Sequence, residues 1–220
     1  MNKKTKISKP VMKRLPRYLR FMSELMQKDI KRISSKELSQ RMGLTASQIR
    51  QDFNCFGGFG QQGYGYDVDK LYTEMSRILG VNHTYNAVLI GAGNLGRAIA
   101  THVAFNKVGF NLVGIFDKNP ELIGTELNGI TIKSSDELED FCTENKPSAA
   151  FLCLPRDSVE KTVEVLLDCG LNAFWNFSHY DIAMNYPDKN VIVENVHMND
   201  SLMTLCYQIT AIEHPYSQEN

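Results

Sequence analysis

Residues 91–96 read Gly91-Ala92-Gly93-Asn94-Leu95-Gly96. This G-x-G-x-x-G pattern lies between an apolar run, residues 87–90, and a stretch of helical periodicity bearing Leu95, Ala98, Ile99 and His102, and that context gives it meaning. The first glycine permits a sharp turn, the second lets backbone approach a pyrophosphate, and the third lets the helix pack close to the strand. N–H groups at the helix start then face the anion. Asp117 ends the next apolar run, residues 110–116, where an acid accepts hydrogen bonds from an adenosine ribose and repels a 2′-phosphate. The expected ligand is NADH or NAD rather than NADPH or NADP. Lys118 tempers that preference, and Asp117 has an alternative role as cap of the turn into Asn119-Pro120. Strand C-terminal ends line the crevice in such sheets. The expected cofactor contacts are therefore Gly91, Ala92, Gly93, Asn94, Leu95, Gly96, Asp117, Pro155, Phe177 and His197, with Ser178 nearby.

A second group carries the chemistry of nucleic-acid recognition. Ser47, Gln48, Arg50, Gln51 and Asn54 project from a helix whose other face holds Ile49, Phe53 and Phe56. Small, amide and guanidinium side chains of this kind read base edges in a major groove. Arg14 lies off an upstream apolar stripe, and Gln62 and Tyr64 lie in the glycine-rich run 57–66; these complete the expected DNA contacts. Asp52 is expected to hold a neighbouring Arg or Lys, because a carboxylate near phosphates is otherwise unfavourable.

The elements that must position these residues are legible in outline. Pro10 suits a helix start. Leu15, Tyr18, Leu19, Met22, Leu25 and Met26 form one apolar stripe, with a kink or restart expected at Pro16. Ser34 with Glu37 and Thr45 with Gln48 read as two capping boxes flanking Gly43, and two short capped helices joined by a glycine turn make a helix-turn-helix. Glycines with aromatics between them over 57–66 suit the tight turn of a wing. A further helix ends at Gly80, and residues 81–84 read as a linker. Strands are expected at 87–90, 110–116, 149–154, 173–177 and 191–196, with a helix bearing Val159, Val163, Leu166 and Leu167 between the third and fourth. This alternation predicts an α/β fold: an N-terminal winged helix-turn-helix over 1–80, a Rossmann doubly wound parallel sheet over 85–197, and a C-terminal helix over 198–213. That last helix, capped by Asn199 or Asp200, is apolar over a wide surface. Burial against a partner subunit is expected, packing on its own sheet being the alternative.

Charge separates the two halves. Residues 1–50 hold 14 Lys+Arg against 3 Asp+Glu, a net of +11, and the remaining 170 hold 10 against 22, a net of −12. A basic start joined to an acidic remainder points to a nucleic-acid-binding unit attached to one that does not bind nucleic acid. The five cysteines are odd in number and scattered, without C-x-x-C, which argues against a disulfide framework or zinc site. Neither a membrane span nor a secretory signal is expected, and a cytoplasmic location follows. No metal and no catalytic residue is expected.

Taken together, the chain resembles the Rex family of redox-sensing repressors along nearly its whole length. The matching stretches are Arg14-Leu15-Pro16 with Tyr18-Leu19-Arg20, Ser34-Ser35 with Glu37-Leu38, Gln48-Ile49-Arg50 with Asp52-Phe53 and Phe56-Gly57, Gly63 with Gly65-Tyr66, the 91–96 fingerprint, Trp175-Asn176-Phe177 and Glu194-Asn195-Val196. The resemblance implies a transcriptional repressor, homodimeric through a swapped C-terminal helix, that binds double-stranded operator DNA when NADH is low and releases it when NADH binds. Three places depart from the family: Gln51 stands where Lys is usual, Ser178-His179 where Ala-Pro is usual, and His197 where Asp is usual near the nicotinamide end. The competing reading is an NAD-dependent oxidoreductase with a basic N-terminal extension, for which His179, Tyr180 and His197 would be acid/base candidates. Against it, the chain after the fingerprint leaves no room for a separate substrate domain.

Overall fold

The computed structural model describes residues 7–57, 60–61 and 64–213. The chain divides between His83 and Thr84 into two compact units.

The N-terminal unit runs α1 (Lys9–Gln27), β1 (Arg32–Ile33), α2 (Ser35–Met42), α3 (Ala46–Asn54), β2 (Gly60–Gln61), β3 (Gly65–Asp67) and α4 (Val68–Leu79). Its strands form a small antiparallel sheet in the order β1-β3-β2. Leu15, Tyr18, Met22 and Leu25 of α1 are buried as the stripe requires, while Met26 at its end is exposed. The expected break at Pro16 does not occur: α1 is continuous through it. Proline at position eight of a helix removes one backbone bond, and the packing of this stripe compensates for it. Pro10 is the second helical residue.

Ser34 forms the full capping box with Glu37, and Gly43 ends α2 in the left-handed region. The second expected box is only half present. Thr45 accepts from the Gln48 N–H at 3.1 Å, but the Gln48 side chain turns to Asp52 instead. Phe53 anchors the unit, with its ring edge-on to Tyr18 at 5.1 Å and to Tyr66 at 4.8 Å.

The second unit is built on a seven-stranded sheet: β4 (Tyr85–Ile90), β5 (Phe110–Asp117), β6 (Glu126–Leu127), β7 (Ile130–Ser134), β8 (Ala149–Leu152), β9 (Ala173–Asn176) and β10 (Ile192–Asn195). Their spatial order is β10-β9-β8-β4-β5-β7-β6. All neighbours are parallel except the β6–β7 edge hairpin. Without β6, this is the doubly wound dinucleotide-binding order, with its crevice where β4 neighbours both β5 and β8. The helices are α5 (Asn94–His102), α6 (Leu138–Asn145), α7 (Arg156–Asp168), α8 (Ile182–Asn185) and α9 (Met198–Glu213).

Beside the five expected strands, β6, β7, α6 and α8 are additions. They are short, and β7 alternates polar residues with Ile130 and Ile132, so no long apolar run marks it. On α5 the inward residues are Gly96, Ile99 and Ala100 with Leu95 half-buried, while Ala98 and His102 are exposed. The face is rotated because Gly96, having no side chain, is the point of closest approach.

Helix α9 starts at Met198, before the expected caps, and none of its residues is buried. Leu202, Leu205, Ile209 and Ile212 are among its exposed apolar residues. It does not pack its apolar surface on its own sheet, which removes the alternative. Among the described residues no helix is long and apolar enough to cross a membrane.

Candidate nucleotide cleft and DNA-reading helix

The cleft is built from what its glycines lack. Gly91 closes β4 with φ +97°, and a Cβ there would lie 2.5 Å from the Cys153 carbonyl oxygen. At Gly96 a Cβ would lie 1.8 Å from the Gly91 carbonyl oxygen, so only glycine lets α5 come this close. Gly93 differs from both. It has an ordinary extended conformation (φ −67°, ψ −168°), and a Cβ there meets nothing within 4 Å. The space over Gly93 is therefore open to a ligand. Gly93 is also the N-cap of α5 and offers no side chain to satisfy the helix's first N–H groups, which suits an anion.

Asp117 ends β5 against this loop. Its Oδ2 accepts the Ala92 N–H at 2.5 Å, and its Oδ1 accepts the Asn119 N–H at 2.8 Å. Of the two roles weighed from the sequence, the turn cap is present in the Oδ1 contact, while Oδ2 holds the glycine loop, a role that the spacing of residues did not reveal. Carboxylate oxygens each carry two acceptor sites, so capacity for ribose hydroxyls remains.

The far side of the cleft is held by a polar network that the spacing of residues did not reveal. Asn176 at the end of β9 is fully buried. Its Nδ2 donates to Asn195 Oδ1 at 2.8 Å and to the Tyr180 carbonyl at 2.9 Å. Its Oδ1 accepts the Ser178 N–H at 3.0 Å and hydroxyl at 2.7 Å. A buried amide with every group satisfied fixes the ends of β9 and β10 together. The Ser178 carbonyl then lies 3.2 Å from His197 Nε2, while His197 Nδ1 faces Asp200 Oδ2 at 3.4 Å. The His179 ring centroid is 5.1 Å from that of His197. Pro155 is the N-cap of α7, directly after β8. Phe177 is edge-on to Trp175 at 4.5 Å, half inside the core. The only available signals for Asn176 and Asn195 were the Trp175-Asn176-Phe177 and Glu194-Asn195-Val196 stretches of the resemblance.

Burial pushes the Cys142 thiol up to about 11 and that of Cys153, beside Gly91, up to about 12. Neither is a thiolate at neutral pH, as expected of small hydrophobes. Among the described residues no group of three His, Cys, Asp or Glu could hold a metal ion.

In the N-terminal unit, Ser47, Arg50, Gln51 and Asn54 are exposed along one stripe of α3 at helical spacing, opposite buried Ile49 and Phe53. Arg50 Nη1 donates to Ser35 Oγ at 3.2 Å. Gln48 and Arg14 are not part of this stripe. Both turn onto Asp52, which is 1% exposed. Its carboxylate accepts Arg14 Nε at 2.7 Å, Arg14 Nη2 at 2.8 Å, Tyr18 Oη at 2.8 Å and Gln48 Nε2 at 2.8 Å. Burial alone would raise the Asp52 carboxyl, but these hydrogen bonds outweigh it and hold it below its ordinary value. Burial and the bond to Asp52 raise the Tyr18 phenol. The network ties α3 to α1 and so sets the pitch of the exposed stripe. Asp52 thus holds an arginine, as expected from the sequence. Tyr64 is exposed; Gln62, like Gly63, lies outside the described residues.

Residues 6–54 match the family model described as putative DNA-binding protein N-terminus, and residues 82–180 match the one described as CoA binding domain. The chain is 52% identical over 213 residues to the redox-sensing transcriptional repressor Rex of Thermoanaerobacter pseudethanolicus, covering 97% of this chain and 94% of that one. It is 50% identical over 207 residues to the Rex of Clostridium perfringens, covering 94% and 96%. A solved structure of RSP in complex with β-NAD+ and operator DNA superposes with a TM-score of 0.87 at 51% identity, covering 94% of each chain. RSP with β-NADH gives 0.84 at 47%, covering 95% and 97%. Half-identity over nearly the full length, with both units matched, leaves one conclusion: the chain belongs to the Rex family of redox-sensing transcriptional repressors.

Proposed function

We propose that this chain is a repressor that binds operator DNA when NADH is scarce and leaves it when NADH binds. The observation that carries this reading is one chain holding both a capped helix with an exposed recognition stripe and an open glycine cleft, in a family whose member RSP has been solved with NAD+ and operator DNA and with NADH.

In this reading Ser47, Arg50, Gln51, Asn54 and Tyr64 meet the DNA, while Arg14 and Gln48 position α3 through Asp52. The pyrophosphate of the dinucleotide lies over Gly93 at the start of α5. Asp117 takes the ribose, and Pro155, Phe177 and His197 border the nicotinamide half. The cofactor supplies the redox signal, since NAD+ carries a positive ring charge that NADH lacks. No group in the cleft is assigned a catalytic role, and the chain is a regulator rather than an oxidoreductase.

Two exposed apolar surfaces support a homodimer. One is α9. The other is a face of the sheet toward the edge strand β10, where exposed Ile192 and half-buried Trp175, with buried Phe151 beneath, help line a cavity of about 370 Å³. We assign residues 1–80 to DNA, 85–197 to the dinucleotide and 198–213 to exchange between subunits. A dimer of such heads must hold its recognition helices about one helical turn apart or a multiple of it. A rotation of the subunits on NADH binding would spoil that spacing. Taking the DNA-competent form from 99% to 1% requires NADH to favour the other form by ~10⁴-fold.

An operator titration by fluorescence anisotropy tests this, with NADH, NAD+, NADPH and coenzyme A in parallel. NADH releases the DNA and the others do so less. Release by coenzyme A with no response to NADH would replace the dinucleotide with the ligand class of the second family model. Consumption of NADH with added oxidants would instead favour the enzyme reading.

A further inference from the structure

Several basic residues of the N-terminal unit are engaged with carboxylates: Arg14 with Asp52, Lys31 with Asp29 and Arg77 with Glu74. Arg32 is different. Among the described residues no carboxylate lies within salt-bridge distance of it. Its Nη1 donates to the Tyr64 carbonyl at 3.4 Å, and its guanidinium lies 6.0 Å from the centre of the Tyr64 ring. Asp67, its register partner on β3, has its carboxylate on the Lys70 N–H at 3.0 Å, capping α4.

The backbone explains the placement. Ile33 is buried in the core, so strand alternation turns Arg32 outward. Gly65 has φ +72°, and a Cβ there would lie 2.8 Å from the Ile33 carbonyl oxygen. Glycine at 65 thus lets β3 press against β1 and brings Tyr64 to Arg32. Tyr64 is 71% exposed, so the pair stands at the surface at the foot of the wing.

We infer that Arg32, held by Tyr64, is a binding site for a backbone phosphate of the operator, separate from the stripe on α3. The inference rests on the DNA reading above. A guanidinium held only by neutral acceptors keeps its full charge for an anion, and its planar fork matches a phosphate. Contact with the Tyr64 ring and carbonyl biases its direction before DNA arrives. Phosphate contacts set orientation and carry no sequence information, so Arg32 serves operator and unrelated duplex alike.

The test is the salt dependence of binding by the full chain to operator and to a scrambled duplex of equal length. Each phosphate contact contributes a slope of about 0.9 in log K against log salt. The expected results are that Arg32→Gln lowers the slope by about 0.9 for each head engaged, equally on both duplexes, that Arg32→Lys retains it, and that Arg32→Glu lowers it further. Thermal unfolding verifies that each variant is folded. An unchanged slope in Arg32→Gln overturns the proposal even if affinity falls, since Arg32 would then only brace the wing. A loss confined to the operator also overturns it, because that is the mark of a base contact. If the unsubstituted protein binds neither duplex, the DNA reading itself fails, and that outcome is visible before any variant is made.

Discussion

The two units achieve recognition by opposite means. The DNA-binding unit depends on side chains: an exposed polar stripe whose pitch is set from behind by a buried carboxylate and its four hydrogen bonds. The nucleotide unit depends at its centre on the lack of side chains, with three glycines that turn, open and pack the loop, and backbone N–H groups that in the proposed reading meet the anion. Substitutions should therefore separate structure from function differently in each. In the cleft, neighbouring glycines diverge sharply: a Cβ at Gly96 would meet backbone and one at Gly93 would face open space. In the head, supporting residues such as Asp52 couple stability to binding.

The largest expected effect is Gly96→Val. Its Cβ would overlap the Gly91 carbonyl, and a clash with backbone has no easy relief. Stability should fall by about 4 kcal/mol or more, seen as loss of the cooperative unfolding transition of the second unit. Gly93→Val sharpens the contrast. It faces open space in an allowed conformation, so the melting temperature stays near that of the parent while calorimetry shows NADH binding abolished. Equal damage from both would break the division between packing and ligand glycines.

Next is Asp52→Ala in the head. It strands the Tyr18 hydroxyl and removes the partner of Arg14. The cost is about 3 kcal/mol, near the low end for a buried pair because Arg14 still reaches water. The pH dependence has a definite sign. Because Asp52 is held below its ordinary value near 3.8, its contribution is complete above that value and is lost as pH falls through the lower folded value. Urea unfolding from pH 6 down to 2 should show a decline that is shallower in Asp52→Asn, the remainder coming from carboxylates such as Glu37 and Glu74 that are also held low. Arg50→Ala follows, costing about 1–3 kcal/mol in operator affinity without a change in stability. A folded Arg50→Ala protein with parental affinity would remove Arg50 from the interface.

The smallest effects concern the ends of the dinucleotide. Asp117→Ala should weaken NADH and narrow its preference over NADPH. If both affinities hold, Asp117 serves only the loop and turn it caps. In the proposed reading His197 borders the nicotinamide, and an imidazole has no negative charge to attract the NAD+ ring as a carboxylate would, so the unsubstituted protein should separate NAD+ from NADH weakly. His197→Asp should change the ratio of their affinities. An unaltered ratio moves the discrimination elsewhere, with Asp200, 3.4 Å from His197, the nearest charge to examine.

What the residues disclosed follows the same division. The glycine loop was legible because its chemistry is local: turn, opening and close packing each demand glycine at a set place between strand and helix. The four exposed residues of α3 were legible from helical spacing and the caps beside them. The partition of Arg14 and Gln48 away from that stripe was not, because an arginine bound to a buried carboxylate looks in sequence like one that faces DNA. Nor was the tie between Asn176 and Asn195, since it joins two strands through a contact that periodicity does not encode. Strand β7 escaped notice because, being short and alternating, it takes its stability from pairing with β5. The wide apolar surface of α9 calls for cover, and its exposed apolar residues leave that need in place.

The most direct test of the account is operator affinity of the full chain measured at fixed salt with and without saturating NADH, alongside Gly93→Val. The account predicts that NADH releases DNA from the parent protein, while Gly93→Val binds the operator with parental affinity and ignores NADH. Operator affinity in the parent that does not change with NADH would contradict it, and would make this chain a DNA-binding member of its family without a redox response.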